Sequence, residues 1–186
     1  MKILMITPYL PYPLFSGGQI RSYNLLKNLA KKHEITLFSF MKYVNEDHVI
    51  QLKSFCKKIE VFKRRKAWSP QNIFFSGFSY YPFLVAIYFS PSLKKRIREE
   101  LEKEKYDLIH AETFYVMPNI PQTEVPILLV EQTIEYLVYD HFIQTVKFPP
   151  ARIPLLLDVL KLKFWESFYW KKAKMVGAMS RADKKE

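Results

Sequence analysis

This sequence predicts an α/β fold, a Rossmann-like and mostly parallel sheet flanked by helices. Two observations carry the prediction. Short apolar, β-rich runs alternate with segments of helical period from the first residues on, and strands that alternate with helices pair in parallel through right-handed crossovers. The runs are also continuously apolar, as in strands buried on both faces. With 186 residues the chain reads as one domain that buries roughly 70% of its unfolded surface.

Taken in order, residues 2–6 form a strand ended by Thr7-Pro8. Pro8, Pro11, Pro13 and Gly17-Gly18 make a loop. A helix over 19–32 follows, with Ile20, Tyr23, Leu26, Leu29 and Ala30 at spacings of three and four. Residues 34–40 are a second strand, 47–57 a helix and 59–62 a third strand. Residues 92–105 form a highly charged helix behind Pro91. Residues 107–110 and 126–130 are strands, 154–171 a long amphipathic helix and 174–179 a last strand. Residues 73–89 break the pattern. They are crowded with Phe and Tyr and interrupted by Gly77 and Pro82, so they read as core packing or as an interfacial element. Ser180-x-x-Asp183 has the form of a helix start. The expected organisation is a domain over 1–180, with 181–186 opening a linker or helix towards a further domain.

The composition excludes several classes. Cys56 is the single cysteine, so neither a disulfide framework nor a multi-cysteine zinc site is expected. His33, His48, His110 and His141 lack ligand spacing, so no metal is expected. Only four apolar residues follow Met1-Lys2, too few for a signal peptide, and no run reaches the roughly 18 residues of a membrane span. The reading is cytoplasmic. Lys and Arg number 29 against 18 Asp and Glu, a net charge of +11 that draws anionic partners. Basic runs at 53–66 and 161–174 adjoin aromatic residues. They suggest a peripheral position on an anionic membrane surface, on the inner face of the membrane. No nucleic-acid reader motif is present.

Three polar sets fall at expected strand ends, where open α/β sheets bind ligands. Gly17 and Gly18, with Arg21 one turn on, follow the first strand. Glycine allows a close backbone approach, and a helix N-terminus with an arginine suits a phosphate or carboxylate. His110 and Glu112 follow another strand. Glu131, Gln132 and Glu135 follow a third, and carboxylates so placed can do acid–base work. No dinucleotide fingerprint, P-loop or serine elbow is present.

Met1-Lys-Ile-Leu-Met-Ile-Thr-Pro-Tyr9, Gly17-Gly18, Arg21 and Leu29-Ala-Lys-Lys-His33-Glu34 resemble the opening of a retaining glycosyltransferase of the GT-B type, in the large mannosyl- and glucosyltransferase family. Tyr106-Asp-Leu-Ile-His110 is similar to its fourth strand, and Val125-Pro-Ile-Leu-Leu-Val130 to the next. Residues 174–183 are similar to the end of its N-terminal domain. The resemblance implies the acceptor-binding half of an enzyme that passes a sugar from a nucleotide diphosphate to a hydroxyl, on a polysaccharide or lipid-linked acceptor, with retention. It places Gly17 and Gly18 beside donor diphosphate and acceptor. It aligns Gln132-Thr-Ile-Glu135 with a tetrad that often carries a histidine near the reacting sugar. Gln132 cannot titrate, so it is a hydrogen-bonding candidate, with Glu135 as an orienting residue. Gln132 and Glu135 are thus the catalytic candidates, and Gly17, Gly18, Arg21, His110 and Glu112 the substrate-binding ones. The resemblance implies no cofactor beyond the nucleotide-sugar donor substrate, which binds mainly in a second domain. The rival reading is a noncatalytic interaction module on the same fold.

Overall fold

The computed structural model describes residues 1–42 and 45–185. Six strands form one all-parallel sheet: β1 (Lys2–Thr7), β2 (Glu34–Met41), β3 (Lys58–Lys63), β4 (Leu108–Glu112), β5 (Ile127–Glu131) and β6 (Met175–Ala178), in the order β3-β2-β1-β4-β5-β6. The expected α/β, Rossmann-like class is the observed one. The strand order reverses between β1 and β4, which pair from Ile3↔Leu108 to Ile6↔Ala111. That is the topological switch point, the position at which open α/β sheets bind ligands beyond the strands' carboxyl ends.

Alternation along β1 divides the core. Leu4 and Ile6 enter one apolar layer with Phe38, Phe40, Ile109 and Leu129. Met5 enters the other with Ile35, Leu37, Leu26 and Leu52, because successive strand side chains point to opposite faces. The second layer is covered by α1 (Gly17–Leu29) and α2 (Glu46–Ile50). The first is covered by α4 (Phe83–Tyr88), α5 (Pro91–Lys103) and α7 (Pro149–Lys172). Cys56 lies buried in the second layer, its thiol pushed up to about 12 by burial.

Several boundaries differ from expectation. The helix expected over 47–57 stops at Ile50 and tightens into turns such as Leu52 N–H to Val49 O and Phe55 N–H to Leu52 O, the i→i+3 bonds of 3₁₀ geometry. The aromatic stretch folds into two helices, α3 (Pro70–Phe78) and the wholly buried body of α4. An unexpected helix, α6 (Glu135–Thr145), precedes α7, and α7 begins at Pro149 rather than Pro154. Prolines suit a first turn because those amides have no intrahelical acceptor. The Ser180 signal is realised as a short 3₁₀ turn, Asp183–Lys185, with Ser180 Oγ accepting the Asp183 N–H at 3.0 Å. Residue 186, the last of the expected linker start, lies outside the described residues.

Three helices are completed by side chains of α7. α4 starts at Pro82 and α6 at Ile134, neither with a side-chain cap of its own. Asp158 accepts the Phe83 N–H at 2.8 Å. Glu166, fully buried, accepts the Glu135 and Tyr136 N–H groups at 2.9 and 3.0 Å. Lys161 Nζ donates to Ser76 O and Ser79 O at 2.7 and 2.9 Å, closing the end of α3. Replacing Glu166 by Ala leaves two donors of α6 without acceptors, an expected loss of about 1–3 kcal/mol. A urea titration should show a lower midpoint at unchanged slope. An unchanged midpoint would mean that water caps α6 equally well.

Candidate functional site

The carboxyl end of β4 presents Glu112, a carboxylate with no exposed surface. Burying it demands partners, and three supply them. Arg21 Nη1, from the second turn of α1, lies 2.7 Å from both carboxylate oxygens. His110 Nε2, two residues back on the same strand, is 3.0 Å from Oε1. Gln132, just past β5, donates from Nε2 to Oε2 at 2.9 Å and also to the Tyr9 hydroxyl. Burial pushes the Glu112 carboxyl up. The His110 hydrogen bond and charge, the Arg21 charge and the Gln132 amide outweigh it and hold the group below its ordinary value. Tyr9 belongs to the β1–α1 loop, and burial raises its hydroxyl.

The glycine pair divides in role. Both glycines have ordinary negative φ, so neither is needed for a left-handed backbone. They are the first two residues of α1, behind Ser16, whose hydroxyl accepts the Gln19 N–H at 3.3 Å. A Cβ on Gly18 would stand 2.5 Å from Gln132 Oε1 and meet the Tyr9 hydroxyl closer still. A Cβ on Gly17 would have nothing within 4 Å. Gly18 therefore allows the helix to approach the polar cluster, while Gly17 lies open on the rim.

Of the residues singled out in the sequence, Gly18, Arg21, His110, Glu112 and Gln132 converge at the switch point. The carboxylate that Arg21 meets is the chain's own Glu112, not a ligand's. Glu135 belongs to a different group. Its N–H bonds to Glu166, and burial pushes its carboxyl up to about 7. Glu131, buried nearby, accepts the Trp170 Nε1–H at 3.1 Å and the Phe114 N–H at 3.3 Å. Burial, then the Glu166 charge, pushes Glu131 well above the carboxylate range. Among the described residues no three His, Cys, Asp or Glu side chains converge to hold a metal ion.

Two residues at the site are not among the candidates that the sequence singles out. Tyr9 reads as one aromatic in a proline-rich loop. Thr113, next to Glu112, has φ 71° and ψ 148°, a conformation unfavourable for a β-branched residue. Its N–H is held by Val130 O at 2.8 Å, so the sheet enforces the strain where the chain leaves β4.

No protein-family model matches the chain, and no curated protein matches it in sequence. Among solved structures it is similar to two crystal structures of the C-terminal domain of the PF1911 hydrogenase from Pyrococcus furiosus. Each has a TM-score of 0.46 and 20% identity, covering 69% of this chain and 89% of that one. A likeness at this level bears on none of the site residues.

Two outcomes are expected. Gly17→Ala should melt at or above the parent temperature, since removing a glycine at a compatible position stabilises by about 0.4–1 kcal/mol. Gly18→Ala should melt lower, because Tyr9 and Gln132 must leave their places. Equal melting of the two variants would show that the close approach is not required. Glu135 gives a pH signature. Its folded value, about 7, lies above its ordinary 4.5. The stability it contributes is thus full below the ordinary value and lost as pH rises towards 7. Glu135→Gln should shrink the drop in melting temperature between about pH 5 and about pH 8. An undiminished drop would place the titration elsewhere.

Proposed function

We propose that the chain is the acceptor-side half of a GT-B retaining glycosyltransferase, and that the Glu112 cluster binds the acceptor beside the reacting sugar. The observation that carries this reading is the self-neutralised cluster at the switch point. Arg21 is already paired with a fully buried carboxylate, so a phosphate would have to compete with an internal partner whose loss would cost roughly 3–5 kcal/mol. A neutral polyhydroxyl ligand faces no such competition. Its hydroxyls can exchange hydrogen bonds with the Tyr9 hydroxyl, the Gln132 amide and the remaining Arg21 N–H groups. Gly17 leaves the rim above them open.

In this reading the acceptor hydroxyl forms a bond to the anomeric carbon of the donor sugar as the bond to the diphosphate breaks. The acceptor proton leaves with the diphosphate, and positive charge near the leaving group stabilises it. Gln132 orients a hydroxyl and neither takes up nor releases a proton. Glu135 acts through the position of α6. The donor is held mainly by a second Rossmann-like domain.

Saturation-transfer NMR with alkyl glucosides and mannosides tests the reading. Weak binding is expected, lost in Gln132→Ala and reduced in Tyr9→Phe, with UDP and GDP weaker than the glycosides. The chain by itself should show no transfer or hydrolysis of UDP- or GDP-sugars above blank. Tight nucleotide binding at this cluster, or no glycoside binding at all, would overturn the assignment.

A further inference from the structure

α7 is apolar on its outside. Ile153, Leu157, Leu160, Phe164 and Phe168 follow one another at spacings of three and four and all are exposed, Phe164 at 62%. They form a stripe about 22 Å long at 1.5 Å per residue. The stripe does not stop at the helix edge. Lys161 and Asp158 tie α7 to α3, and Trp165 Nε1 donates to Tyr80 O at 2.7 Å. α3 presents Ile73, Phe74 and Phe78 to solvent, Phe78 at 82%, with Tyr80 and Trp68 beside it. Single exposed apolar residues need no explanation, but a continuous patch of this extent does.

The charges on α3, on the run before it and on the outward face of α7 have one sign. Lys66 precedes Trp68 and α3, and residues 63–80 hold four cations and no acid. Along α7, Arg152, Lys163, Lys171 and Lys172 are exposed. The two acids of α7 are turned inward, Asp158 onto the Phe83 N–H and Glu166 onto the start of α6. The outward face of α7, with the adjoining face of α3, is therefore aromatic, aliphatic and cationic, with no outward acid. Among the described residues no helix is long and apolar enough to cross a membrane.

We infer that the α3–α7 face lies on an anionic lipid bilayer, with the stripe seated at the level of the headgroups and the flanking lysines on lipid phosphates. An in-plane surface of this kind combines apolar insertion with electrostatic attraction. The one-signed charge selects the occupant. A second copy packed by a two-fold axis would bring like cations against each other, whereas anionic lipid complements every one of them. Bilayer seating does not depend on the acceptor assignment, and vesicle binding and glycoside binding are scored separately.

Cosedimentation with phosphatidylglycerol–phosphatidylcholine vesicles is the test. The chain should bind these vesicles and lose roughly tenfold or more in partitioning on pure phosphatidylcholine, and likewise as salt is raised. Leu160→Ser/Phe164→Ser should lose about fivefold or more with an unchanged circular dichroism spectrum, and Lys171→Ser/Lys172→Ser should lose the anionic preference. Phe78→Ser, on a separate helix, serves as the second apolar variant should the α7 pair fail to fold. Trp68 emission should shift to the blue on vesicles. Three results would overturn the inference: no binding to anionic vesicles at low salt, full binding by both apolar variants, or a dimer in light scattering that the α7 variant converts to a monomer.

Discussion

The first face of the sheet depends on α7 as a source of helix caps. A helix end leaves backbone groups without partners, and a buried helix must find them within the protein. α4 and α6 begin at Pro82 and Ile134, residues that offer no side-chain acceptor. α3 ends against Lys161. Three charged residues at 158, 161 and 166 thus define where three other helices start or stop. The same constraint shapes the outside of α7, because its acids are committed inward.

The second organising constraint is Glu112. A fully buried carboxylate is tolerable only while its neighbours hold it, and each neighbour comes from a different segment: α1, β4 and the turn after β5. The cluster therefore fixes how those segments meet at the switch point. Gly18 is the steric condition for that meeting, and the strained backbone of Thr113 accompanies it. The result is a site rich in donors and acceptors yet nearly neutral, set in a chain whose overall charge is strongly positive.

Much of this is legible in the sequence. All six strands were expected, since a continuous apolar run between turn residues has few other readings in an alternating chain. The strand-end rule brought Gly18, Arg21, His110, Glu112 and Gln132 to one place. What was not legible depends on partners distant in sequence. α6 has no local start signal because its cap, Glu166, lies 31 residues away. α3 and α4 are concealed by aromatic composition. The family tetrad pairs Glu135 with Gln132, but Glu135 opens α6 and its N–H is held by Glu166. Tyr9 and Thr113 matter through close approach and strain, which only the assembled sheet creates.

The caps also impose an order on assembly. α3, α4 and α6 all precede α7 in the chain, and synthesis runs from the N-terminus. Until residue 166 is available, α6 has donors with no internal acceptor, and α4 waits likewise for residue 158. The half of the sheet built from β1, β2 and β3, with α1, draws no helix cap from α7, since α1 is capped by its own Ser16. The opposite layer has its full set of helix caps only once α7 has docked. One docking event thus supplies the missing partners of three helices at once.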